Sequence, residues 1–173
     1  MKKVFKWLGV TITVLVVIIF AGIGYVKLML PNVGDAPDLK VEVTPERVER
    51  GKYLANSVAV CMDCHSKRDW SQFAGPLVAG TEGGGGEVFD KTMGFPGNFY
   101  SKNITPYELG NWTDGEIYRA ITTGVNKNNE AIFPVMPYHN YGKMDNEDLY
   151  SIIAYIRSLP TVKNDIKERA VDF

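Results

Sequence analysis

The sequence predicts a mainly α protein, a helical domain preceded by a single transmembrane helix. Three observations predict it. An uncharged run of 19 residues, Leu8 to Val26, lies near the N-terminus. Later segments carry helix caps followed by apolar residues at helical spacing. No βαβ pattern is present. The 173 residues suffice for one domain with a real core and are too few for two ordinary ones.

The N-terminal element comes first. Lys2, Lys3 and Lys6 precede the apolar run. A helix over about residues 5–27 roughly covers a hydrocarbon core, and the lysines favour a cytoplasmic N-terminus. Lys27 is placed to snorkel to the opposite interface. A cleaved signal peptide is the rival, with Leu8 to Phe20 as its apolar region and Gly22-Ile23-Gly24 as a poor cleavage site. The run continues past Phe20, which favours a retained anchor over residues 1–30. Either way the remainder is exported.

Residues 31–43, with Pro31, Asn32, Gly34, Pro37 and Asp38, read as a linker with no buried face. The main domain is expected over 44–173. Thr44 and Pro45 open its first helix as N-cap and first helical residue; that helix is expected to fade before Cys61. Gly83-Gly84-Gly85-Gly86 reads as a flexible loop, not a phosphate loop, since no Gly-Lys-Ser/Thr follows. Val88, Phe89, Phe95, Phe99 and Tyr100 fit either a short hairpin or irregular packing. Thr113 and Glu116 spell a capping box, and Gly124 a stop. Asp145 caps the clearest helix, whose apolar Leu149, Ile152, Ile153, Ile156 and Leu159 share one face until Pro160 ends it.

Formal net charge is −1, so nothing points to nucleic acid. Four of the 19 basic residues (Lys2, Lys3, Lys6, Lys27) belong to the anchor, leaving 15 against 20 acidic residues. A mildly acidic domain favours basic partner surfaces.

Both cysteines fall in Cys61-Met62-Asp63-Cys64-His65. A disulfide here would close a very small ring and staple almost nothing. The spacing is that of covalent haem attachment. Two thiols separated by two residues can each add to a vinyl group of one haem, and His65 is then held where its imidazole can bind iron. A thioredoxin-like dithiol would want a βαβ setting. A structural zinc site needs four ligands, and beyond the motif there is one further histidine, His139, and no further cysteine; a mixed site with Asp63 or Asp69 is poor.

Haem iron in an electron carrier is usually held on both faces. Met136 is the best candidate for the second, in Phe133-Pro134-Val135-Met136-Pro137-Tyr138, because flanking prolines hold the backbone extended and stiff. Met93, Met144 and His139 are its rivals; Met62 lies inside the attachment motif.

With these residues in place the chain resembles a class I cytochrome c, most of all the membrane-bound cytochrome c modules found with bacterial alcohol, aldehyde and sugar dehydrogenases. The resemblance runs from about Glu46 to Leu159. It is carried by Arg50-Gly51-Lys52-Tyr53-Leu54-Ala55, by Tyr100-Ser101-Lys102-Asn103-Ile104-Thr105-Pro106, by Trp112-Thr113-Asp114-Gly115-Glu116, and by Met136-Pro137-Tyr138 with the helix from Asp145 to Leu159. It implies a cytochrome c-like helical domain wrapped round one haem, with the first and last helices crossing at Gly51 and Tyr155. It also implies that Ile104 and Tyr138 border the haem. Related subunits often carry three such modules where this chain has one, and the glycine run is unusual for the family.

The expected function is therefore single-haem electron transfer by a carrier rather than an enzyme. One haem c is bound through Cys61 and Cys64 and ligated by His65 and Met136, with a haem edge near Met62 or Val135 facing partners. The expected partners are the lipid bilayer, a dehydrogenase or quinol-oxidising complex upstream, and an oxidase or soluble cytochrome downstream. The expected place is the bacterial inner membrane, single-pass, with the haem domain on the periplasmic side. A haem peroxidase-like enzyme or a redox or gas sensor would need an open or displaceable iron position, which Met136 would close.

Overall fold

The structure is a computed structural model that describes residues 2–172. The chain forms two compact units, Met1–Gly34 and Asp35–Phe173.

In the first unit, α1 (Lys2–Met29) is 28 residues long, with no acidic residue in its first turn and Lys27 in its last. It extends past both ends of the 5–27 span expected from sequence. At about 1.5 Å per residue it exceeds a hydrocarbon core of about 30 Å. By length and composition it can cross a membrane, a test that an export signal also passes. Its two threonine hydroxyls are satisfied internally: Thr11 and Thr13 donate to the Trp7 and Gly9 carbonyls, each at 3.0 Å.

The second unit is built on α2 (Pro45–Tyr53) and α7 (Asn146–Ser158). Thr44 caps α2, accepting from the Arg47 amide, with Pro45 at its start. The helix does not simply fade. It continues as a π-helical turn, Leu54–Val58, closed by the Ala59 amide on the Leu54 carbonyl at 2.8 Å. Val60 then takes a left-handed conformation (φ 47°) and reverses the chain into α3 (Cys61–His65).

The undecided aromatic stretch is a hairpin. β1 (Val88–Phe89) pairs antiparallel with β2 (Gly97–Tyr100), and β3 (Ala170–Val171) adds to the other edge of β2. Phe89, Phe95, Phe99 and Phe133 cluster beside it, Phe99 and Phe133 stacked at 3.8 Å between centroids.

α4 (Pro106–Leu109) precedes α5 (Asp114–Thr123), where the Thr113–Glu116 capping box is present and Gly124 ends the helix at φ 70°. α6 (Tyr138–Tyr141) is one turn. Asp145 caps α7 by accepting from the Glu147 amide. Leu149, Ile152, Ile153 and Ile156 on α7 are all buried, the three isoleucines in a core shared with Val41, Leu54, Leu109 and Ile117.

Two expectations give way. Residues 31–43 were expected to have no buried face, yet Val41 is buried in the core, Leu39 packs against it, and the Val41 amide donates to Asp114 at 2.8 Å. Apolar Leu39 and Val41 can pack on a ready core, and the Val41 amide can use the second oxygen of a carboxylate, which a composition-based reading does not weigh. The glycine run, expected to be a flexible loop, is a buried clasp at Gly83, Gly84 and Gly85. Side chains are excluded there: a Cβ on Gly83 would meet Leu159 at 2.9 Å, and one on Gly84 would meet Val162 at 2.7 Å. Its glycines serve close backbone approach rather than mobility.

Candidate functional site

Cys61 and Cys64 lie on the single turn of α3, both as free thiols and both half-buried. Burial pushes the Cys61 thiol up to about 12. Cys64 is raised as well, by burial first and then by the Asp63 and Glu87 carboxylates. Between them Met62 is wholly buried, packed with Ala55, Tyr155 and Leu159. Met62 is thus a core residue: one turn of helix that presents Cys61 and Cys64 on one side drives the intervening side chain inward.

His65 closes α3. Its Nδ1 lies 2.6 Å from the Lys102 carbonyl oxygen. A carbonyl can only accept, so Nδ1 carries the proton and Nε2 keeps a lone pair. Burial lowers the pKa of the ring, opposed by this hydrogen bond. Two thiols one turn apart, beside an imidazole whose Nδ1 is already engaged, fit a covalently attached haem. Among the described residues no three His, Cys, Asp or Glu side chains gather to hold a bare metal ion, so the mixed zinc site with Asp63 or Asp69 lacks a third ligand.

The other candidates are spread over three segments. Ile104 is half-buried and packs against the same core as Cys61. Met136 is half-buried on the irregular stretch before α6, and its carbonyl accepts from the Tyr138 amide at 2.8 Å. The Tyr138 ring lies over Gly124, where a Cβ would fall 2.5 Å from the ring. Of the rivals, Met93 is 59% exposed, Met144 packs against the core, and His139 is exposed. Trp112 packs partly into the core with Lys127 over its ring. Asn103, within a glycosylation-like triplet, is buried, its amide donating to the Val162 and Asn164 carbonyls.

Sequence reasoning missed the loop that follows the motif. Arg68 pairs with Leu77 across it, donates to the Gly75 and Ala74 carbonyls, and lies 3.5 Å from Asp63. Its guanidinium covers the Trp70 ring, and Trp70 Nε1 donates to Glu87. The Cys-x-x-Cys-His turn is thereby braced from its C-terminal side. No periodic or capping signal marks such a loop.

Comparison with known proteins agrees with the motif. Over 111 residues the chain is 33% identical to the gluconate 2-dehydrogenase cytochrome c subunit of Pantoea cypripedii, a match covering 62% of this chain and 22% of that one. It is 34% identical over 112 residues to the fructose dehydrogenase cytochrome subunit of Gluconobacter japonicus, covering 63% and 20%. It is 31% identical over 111 residues to the cytochrome c subunit of the quinone-dependent alcohol dehydrogenase of Komagataeibacter europaeus, covering 62% and 21%. The match thus spans about a fifth of the length of these relatives. No family model matches the chain.

Proposed function

We propose, from its kinship with the cytochrome c subunits of bacterial dehydrogenases, that this chain is a single-haem c-type cytochrome that carries electrons and does not itself transform a substrate. The observation that carries the reading is the placing of Cys61 and Cys64 on one turn of α3 beside an imidazole whose Nδ1 proton is given to the Lys102 carbonyl. When bound, the haem supplies a one-electron couple between ferrous and ferric iron.

The chain's own residues hold and tune it. Cys61 and Cys64 attach it. His65 would hold the iron through Nε2, kept in that tautomer by Lys102. Met136 is proposed as the second iron ligand, on a segment that Pro134 and Pro137 stiffen. Ile104 and Tyr138 border the ring by the family resemblance. α1 is read as a retained anchor in the inner membrane, with the haem domain on the periplasmic side; this raises its effective concentration near membrane complexes. A dehydrogenase or quinol-oxidising complex is the proposed donor, and an oxidase or soluble cytochrome the acceptor.

The test is production in a host able to attach haem, followed by haem staining on a denaturing gel and a reduced-state optical spectrum. Staining that disappears in Cys61→Ala with Cys64→Ala supports the reading. A colourless wild-type protein with both thiols free ends it. Carbon monoxide binding by the reduced wild type would move the assignment to a gas sensor or a haem enzyme with an open iron position.

A further inference from the structure

We propose that Gly85 and Asn164 are positioning residues for His65: the C-terminal tail, acting through the glycine run, sets the hydrogen bond between the imidazole and the Lys102 carbonyl. The proposal rests on the haem reading above and adds a control over the iron ligand that no ligand residue supplies.

Gly85 holds both sides of that hydrogen bond. Its amide donates to the His65 carbonyl at 2.7 Å. Its Cα lies against the peptide that accepts the ring proton. A Cβ there would stand 2.6 Å from the Lys102 carbonyl carbon and 2.7 Å from both the Lys102 oxygen and the Asn103 nitrogen. At φ +68° the position also favours glycine. The neighbouring glycines repeat the pattern. The Gly83 amide donates to Ser66 Oγ at 3.1 Å, and the Gly83 carbonyl accepts from the Ile104 amide at 2.7 Å. The Gly86 amide donates to the Ser101 carbonyl at 2.9 Å. The run therefore stitches His65–Ser66 to the segment on either side of the Lys102 carbonyl.

The tail fixes the run from behind. Asn164 Nδ2 donates to the Gly84 carbonyl at 2.8 Å and reaches the Gly85 carbonyl at 3.4 Å. In return, Asn103 Nδ2 donates to the Val162 and Asn164 carbonyls at 2.8 and 3.2 Å. Asn164 thus acts on His65 only through peptide groups. A carbonyl accepting the Nδ1 proton raises the basicity of Nε2, which favours ferric over ferrous iron. Loosening the run lengthens that bond and shifts the reduction potential upward.

The experiment uses the full-length haem-loaded protein. The variants are Gly85→Ala, Asn164→Ala and Asn164→Asp, with Tyr107→Phe as control; Tyr107 bonds the tail at Asp165 without touching the run. Haem stain, midpoint potential and the solvent-exchange rate of the His65 Nδ1 proton by NMR are read together. Asn164→Ala is expected to raise the potential, and both Asn164 variants to speed the exchange while staining is retained. Gly85→Ala should do so more strongly, and if it fails to accumulate, the Asn164 variants carry the test. Tyr107→Phe should leave potential and exchange at wild-type values. Haem-stained Asn164 variants with unmoved potential and exchange, or an equal shift in Tyr107→Phe, overturn the positioning role and leave the haem reading standing. A wild type without covalent haem overturns both.

Discussion

Gly51 on α2 and Tyr155 on α7 meet where the two helices cross: a Cβ on the glycine would stand 2.8 Å from the tyrosine's Cβ, with the Ser151 carbonyl nearer still. The backbone of α7 occupies the space that any side chain at 51 would need. Gly51→Ala should therefore force the helices apart and destabilise the haem-loaded protein by about 3 kcal/mol, read as a lower denaturant midpoint. At the rim, the Arg47–Glu147 and Arg50–Asp148 pairs are exposed. Arg50→Ala should barely move the same midpoint, because exposed pairs are screened and lose side-chain entropy on forming.

Arg157 should matter far more than those rim arginines. Its guanidinium donates to Asp114 at 2.8 Å, to the Leu109 carbonyl at 2.7 Å and to the Trp112 carbonyl, joining the end of α7 to α4 and the start of α5. The other Asp114 oxygen accepts the Val41 amide. Arg157→Ala leaves a half-buried carboxylate and two carbonyls without their donor, at a cost of about 3 kcal/mol. Arg157→Lys should recover little of it, since an ammonium cannot reproduce the fork. Equal thermal melts for Arg157→Lys and wild type would contradict this.

Val60 is a β-branched residue at φ 47°, immediately before Cys61. A left-handed valine is strained by about 1–3 kcal/mol, and glycine's greater unfolded-state entropy returns part of that difference. Val60→Gly should stabilise the protein by about 1 kcal/mol in equilibrium unfolding. A fall in stability would mean that the Val60 side chain contributes more through packing than its conformation costs.

Met136→Ala tests the proposed second iron ligand. Covalent attachment through Cys61 and Cys64 should survive, and the reduced protein should gain carbon monoxide binding as the thioether is lost. A thioether-to-ferric-iron charge-transfer band in the wild type and its loss in the variant are the paired signals. Unchanged ligation would move the assignment to Met93, Met144 or His139.

Much of the helical frame was legible in the linear order of residues. Thr44 with Pro45, Thr113 with Glu116, Gly124, and Asp145 with its apolar stripe each act within one or two turns, so local chemistry is enough to place them. The attachment motif was legible for the same reason, its chemistry lying within five consecutive residues. The Gly51–Tyr155 crossing came from family resemblance rather than from any local rule.

What the sequence determined by itself, then, was the order and ends of the helices, the apolar N-terminal run and the thiol–imidazole motif. Only the tertiary structure decided that four consecutive glycines form a clasp, that Lys102 offers its carbonyl rather than its side chain to His65, and that Leu39 and Val41 belong to the core. The physical reason is range. A cap or a helical stripe is settled by neighbours a few residues away, whereas the Lys102 carbonyl meets His65 across 37 positions and Asn164 meets Gly84 across 80. A backbone carbonyl that accepts from so distant a side chain carries no mark in its own residue's identity.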